Sequence, residues 1–145
     1  MPKFKLVSDK PKEADIQRAC LQTLAHAGFV VLQPPRRKPY TLWQALSKEL
    51  AQQKPRGLVW RENTIQIGYV QAGIPGRADI QGVLADGRFL AIEVKRPGKL
   101  PDPEQLAYLD CIDQMGGVAT WVSSTDELRA WLRTNLPLPT DATID

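Results

Sequence analysis

Along residues 12–26 the apolar side chains fall at Ile16, Cys20, Leu21 and Leu24, the three-and-four spacing of one helix face, and Gly28 supplies a stop. Residues 29–32 (FVVL) form a short apolar run that predicts a strand. A proline-rich basic stretch, residues 33–40 (QPPRRKPY), separates it from a second predicted helix. Thr41 can cap that helix, and Leu42, Trp43, Leu46 and Leu50 line one stripe until Lys54-Pro55 ends it. Residues 58–60 and 65–70 read as extended, and residues 73–76 as a loop. Residues 78–84 and 89–95 are predicted strands joined across Ala85-Asp86-Gly87, a hairpin signal. Asp102 as N-cap, Pro103 at the first helical position and Gln105 at N3 open the next helix. Its predicted buried stripe is Leu106, Leu109, Ile112 and Met115, and Gly116-Gly117 ends it. Residues 118–122 predict a strand, and a last helix follows Ser124-Thr125-Asp126 with Leu128, Trp131 and Leu132.

This order packs most economically as an α/β fold, a mixed central sheet flanked by helices. The 145 residues suit one domain, with residues 1–11 a lead-in, 34–57 a basic helical insertion and 136–145 a loose tail. A hydrophobic fraction of 43% with 24% charged residues supports a packed core, and no apolar run approaches the roughly 18 residues of a spanning helix. The N-terminus lacks the apolar segment of a secretory signal, so a cytoplasmic setting away from membranes is expected. Two isolated cysteines make neither a disulfide framework nor a zinc cluster. A single histidine, His26, leaves carboxylates and lysines to carry any catalysis.

Charge is unevenly distributed. Residues 1–61 hold 12 Lys/Arg and 4 Asp/Glu, and residues 62–145 hold 7 and 12. A basic half beside an acidic half suits an anionic partner, although ordinary solubility charge gives the same counts.

The acidic half holds the most informative segment. Period-two geometry sends Leu90, Ile92 and Val94 to one face of their strand and Glu93 and Lys95 to the other. Charges at the end of an apolar strand are costly unless they have partners. Asp79 opens the facing strand, and register decides whether it meets them. A two-residue Asp86-Gly87 turn sets Asp79 opposite Val94, on the wrong face. A three-residue loop with Gly87 left-handed pairs Leu84 with Arg88 and sets Asp79 opposite Glu93. The second register, or an equivalent bulge, is predicted, because only then do the charges come together. Two such carboxylates can hold Mg²⁺, with Lys95 orienting a water or shuttling its proton, a set suited to phosphodiester hydrolysis. Taken alone, Glu-x-Lys is also an ordinary ion pair.

The ordered string Gly76-Arg77-Ala78-Asp79-Ile80, the hairpin, Ala91-Ile92-Glu93-Val94-Lys95, and Glu104-Gln105 before a helix ending Gly116-Gly117 resembles the VRR-NUC family of the PD-(D/E)XK nuclease superfamily. The likeness covers roughly residues 12–33 and 58–128. It implies an αβββαβ core, Asp79 and Glu93 as metal ligands with the Val94 carbonyl as a third, and Lys95 as the catalytic lysine. Gln105 matches a glutamine near the family's active site and is equally a capping-box residue. Related nucleases place a first-helix glutamate beside the metal, which implies that role for Glu13; the alternative is that Glu13 only answers the helix dipole. Arg61 and Asn63 resemble family positions leading into the sheet. Ala78 stands where the family usually has proline, and residues 34–57 have no place in the family core.

The likeness further implies Mg²⁺ as cofactor, with Mn²⁺ substituting, branched DNA such as four-way junctions or flaps as substrate, and a homodimer. Arg36, Arg37, Lys38, Lys54, Arg56 and Arg61 are candidate phosphate contacts, with Arg77, Arg96 and Lys99 flanking the carboxylates. Trp43 lies on an apolar stripe, and so reads as core before it reads as a stacking platform. The expected activity is that of a metal-dependent endonuclease. A catalytically silent DNA-binding module and a sequence-specific restriction-type nuclease are the alternatives.

Overall fold

A computed structural model describes residues 11–32, 54–62 and 77–137. The predicted helix after Thr41, the extended run at 65–70 and the loop at 73–76 lie outside the described residues, as do Arg36, Arg37, Lys38 and Asn63. The elements are α1 (Glu13–His26), β1 (Val30–Val31), β2 (Gly57–Arg61), β3 (Ile80–Leu84), β4 (Phe89–Val94), α2 (Pro103–Gln114), β5 (Val118–Val122) and α3 (Thr125–Asn135). The five strands form one mixed sheet in the order β1-β2-β3-β4-β5. β1 runs parallel to β2 and β4 parallel to β5, while β2, β3 and β4 form an antiparallel meander.

The hairpin sets the register on which the site depends. Ile80 pairs with Ile92 and Val83 with Phe89, so the ladder continues to Leu84 opposite Arg88 and Asp79 opposite Glu93. The Leu84 N–H donates to the Arg88 carbonyl at 2.8 Å, leaving Ala85-Asp86-Gly87 as the loop. Gly87 takes φ +91°, a left-handed conformation that strains any residue with a Cβ. The Asp86 carboxylate accepts from the Arg88 N–H at 3.0 Å and pairs with the Arg88 guanidinium at 2.8 Å, fixing the loop. The three-residue register expected from sequence is therefore the one observed.

Alternation along the strands then divides the core. Val59, Ile80, Leu84, Leu90, Ile92, Val94 and Val122 meet Ile16, Cys20 and Leu24 of α1 and Leu128 and Leu132 of α3. On the opposite face α2 lies over Ala91 and Ala119, through Tyr108, Leu109 and Ile112.

Two expectations need correction. In α2, Leu109 is buried and Ile112 packs beside it, but Leu106 is 46% and Met115 80% exposed. The inward face is Gln105, Tyr108, Leu109 and Ile112, an i, i+3, i+4, i+7 set. Turning Gln105 toward the sheet carries Leu106 about a quarter-turn away. Met115 lies past the last helical residue, at the C-cap. Leu136, expected in the loose tail, is buried in the core with α3.

Candidate active site

The site lies where β3 begins and β4 ends. Asp79 and Glu93 face each other across the hairpin on the α2 side of the sheet, and Glu13 enters from the first turn of α1. One carboxylate oxygen from each of the three lies within 4.8 Å of the others. Glu13 is thus brought to the cluster, beyond whatever it contributes to the helix dipole.

Each carboxylate is held differently. Asp79 Oδ2 accepts from the Val94 N–H at 2.9 Å, so the backbone of β4 fixes its rotamer. Val94 thereby meets the cluster through its amide, whereas the family likeness implies its carbonyl as a ligand. Glu93 is 1% exposed. Its Oε1 accepts from Gln105 Nε2 at 3.0 Å and has Lys95 Nζ at 3.9 Å, while its Oε2 is buried without a hydrogen-bond partner among the described residues. Burial first, and then the neighbouring Asp79 carboxyl, push the Glu93 carboxyl up to about 9, with Lys95 drawing it back.

Gln105 performs two tasks with one amide group. Its Oε1 accepts from the Asp102 N–H at 2.8 Å, closing the capping box, and its Nε2 reaches Glu93. The cap thus fixes which way the side chain points, and the start of α2 is bound to the site.

The basic residues divide. Arg61 Nη2 donates to Gln17 on α1 at 2.8 Å. Arg77 lies half-buried with its Nε 4.0 Å from Glu62. Arg96 Nε donates to the Pro11 carbonyl at 3.2 Å, and Lys99 is exposed. Arg56 belongs to the opposite end of the hairpin. It donates to the Ala27 carbonyl at 3.1 Å and to the Leu136 carbonyl, and lies over the Phe29 ring, so its guanidinium has a structural place away from the carboxylate cluster.

Glu62 was not expected at the site. Its N–H donates to the Asp79 carbonyl at 2.7 Å, and its carboxyl is pushed up by burial, with Arg77 opposing and the Asp79 charge adding. Only the pairing of β2 with β3, which sets Arg61 beside Ile80, brings it there.

Three gathered carboxylates repel one another, and a buried carboxylate oxygen without a donor is expensive unless something positive meets it. The donor set is all hard oxygen, the kind that Mg²⁺ or Mn²⁺ takes, so the residues present fit a divalent cation. Comparisons with family models, curated proteins and solved structures return no match to this chain.

Proposed function

We propose that this chain is a divalent-cation-dependent endonuclease that hydrolyses DNA phosphodiester bonds, selective for branched structures such as four-way junctions or flaps. The observation that carries the reading is the meeting of Glu13, Asp79 and Glu93 with Lys95 at one end of the hairpin, with Glu93 Oε2 buried and lacking a donor among the described residues. Glu13, Asp79 and Glu93 would hold Mg²⁺, with Mn²⁺ an alternative and the Val94 carbonyl a further ligand by the family likeness. When bound, the cation supplies Lewis-acid stabilisation of charge on phosphate oxygens and a more acidic water.

The chain's own groups do the rest. Lys95 Nζ, held against Glu93 and only 12% exposed, orients the attacking water and can pass its proton. The Val94 N–H and the Gln105 amide keep the two hairpin carboxylates in single rotamers, which limits reorganisation when a phosphate arrives. Arg96 and Lys99 follow within four residues of Lys95 and suit the phosphates flanking the cut. A homodimer would present two such sites to a two-fold branched substrate.

The test is cleavage of labelled four-way junction, flap, duplex and single-stranded DNA with Mg²⁺, Mn²⁺ or EDTA. Cation-dependent cutting of branched DNA is expected, abolished by Asp79→Ala and Lys95→Ala, with binding by Lys95→Ala kept within a few-fold of wild type. DNA binding with no cutting under any cation would instead establish a binding module. Cutting of plain duplex at one sequence would make it a restriction-type enzyme.

A further inference from the structure

Between Lys95 and Gln105 the chain forms a short loop whose two ends converge on Glu93 Oε1, Lys95 Nζ at 3.9 Å and Gln105 Nε2 at 3.0 Å. Leu100 is its midpoint, five residues from each anchor. At a maximum of ~3.6 Å per residue, its Cα lies within about 18 Å of either anchor along the chain.

The loop holds that residue stiffly. Arg96-Pro97-Gly98-Lys99 is a tight turn closed by the Lys99 N–H donating to the Arg96 carbonyl at 3.0 Å. Pro97 at the second position and Gly98 at φ +87° at the third give it type II form. Leu100 then precedes Pro101, which restricts it to extended backbone, and Pro101 is itself buried. Pro103 opens α2 directly afterwards, and Arg96 Nε is bonded to the Pro11 carbonyl.

On this stiff support Leu100 is 74% exposed. Leu106, in the first turns of α2, is also part-exposed at 46%. A lone exposed leucine on a flexible loop calls for no explanation. A leucine fixed by three prolines and a closed turn, preceded by two cations and bound at both ends to a carboxylate cluster, does. Nucleic-acid-binding proteins use such apolar side chains to enter a base step and unstack it, while neighbouring cations hold the phosphates. Rigidity suits that task, because a side chain already ordered loses little freedom on insertion.

We propose that Leu100 is an apolar wedge that enters the base stack of DNA near the phosphate that a divalent cation on the Glu13–Asp79–Glu93 cluster would hold. The inference rests on the nuclease reading and deepens it by naming the feature selected, bases already weakly stacked, as they are beside a branch point. Unstacking costs least there, so a wedge converts branching into preference.

The experiment uses the full chain, junction DNA carrying 2-aminopurine at nucleotides flanking the branch, and Ca²⁺ as the hard-oxygen cation. Fluorescence anisotropy is read on the same samples. Wild type and Leu100→Met are expected to raise 2-aminopurine emission on binding, and Leu100→Ser to lose that rise while anisotropy shows it bound. An equal rise with Leu100→Ser, or bound wild type with no rise, overturns the wedge and leaves the nuclease reading standing. Conversion of a dimer to a monomer by Leu100→Ser in sedimentation also overturns it, in favour of a protein contact. Failure of wild type to bind any of the DNAs removes both readings, and anisotropy tells that case from the others.

Discussion

Glu93 is under opposing demands, since its carboxyl is buried beside another carboxyl and yet pairs with Lys95. Its folded-state value lies above its unfolded one, so the folded state holds the proton more tightly. That contribution to stability is complete below the unfolded value and is lost as pH rises through the folded one. The cation-free protein should therefore lose melting temperature as pH climbs from about 4.5 toward about 9. Glu93→Gln should flatten this slope and raise the melting temperature at the alkaline end, as read by calorimetry across pH. Mg²⁺ or Mn²⁺ should stabilise wild type more at pH 8 than at pH 6, since cation and proton compete for the same oxygens. The same increment should be small in Glu93→Gln. Of the acidic residues here, Asp79 and Glu93 could be found from sequence because the hairpin relates them within one motif. For Glu13 only the family likeness points to the site, because a first-turn glutamate serves helix dipole or site alike and the docking of α1 decides. Glu62 gave no signal, since its neighbour Asp79 comes through a strand pairing that the sequence pattern does not display.

At the scale of the element, the hairpin and α2 show what a pattern can and cannot disclose. The register was legible because one turn chemistry, Asp86-Gly87 with a left-handed glycine, left two alternatives, and only one of them grouped the charges. The rotation of α2 was not. Hydrophobic spacing points to Leu106, whereas the helix turns Gln105 inward, because a polar side chain with two partners there outweighs one leucine left in water. Capping and site contact can be separated by substitution. Gln105→Glu keeps an acceptor for the Asp102 N–H but has no donor for Glu93, and it adds a fourth negative charge. It should preserve helix content and lower cleavage by at least about tenfold at saturating cation, the effect of one misplaced charged contact of about 1.4 kcal/mol. Gln105→Ala removes both bonds and should cost about 1–2 kcal/mol of stability as well. Denaturant melts paired with single-turnover cleavage distinguish the two. Equal stability losses in both variants would mean that the cap does not depend on the Gln105 oxygen.

Across the whole molecule the two ends of the β3–β4 hairpin carry different duties. At one end Glu13, Asp79 and Glu93 gather like charges, offset only in part by Lys95, that oppose folding until a cation or a proton meets them. At the other, Arg56 joins the close of α1, the start of β2 and the end of α3 through the Ala27 and Leu136 carbonyls and the Phe29 ring. The two helices that cover the core face of the sheet both end at this guanidinium, so it secures the packing that holds Glu13 in reach of the hairpin. Composition put Arg56 among the phosphate contacts, since a basic residue beside a proline-rich stretch has the same sequence signature whether it meets a phosphate or a helix end. Arg56→Ala should therefore lower stability by about 1–2 kcal/mol, leaving two part-buried carbonyls without this donor, and shift the melting temperature by several degrees. Arg56→Lys should recover only part of this, because one ammonium cannot reproduce the planar fork that spans both carbonyls. Below the new melting temperature, the affinity for DNA and its salt dependence should equal those of wild type, whereas a phosphate contact would reduce the salt slope by about one counterion. Thermal melts and a binding series in salt on the same variant decide between these roles, and a shallower slope with unchanged stability would return Arg56 to the candidate phosphate contacts.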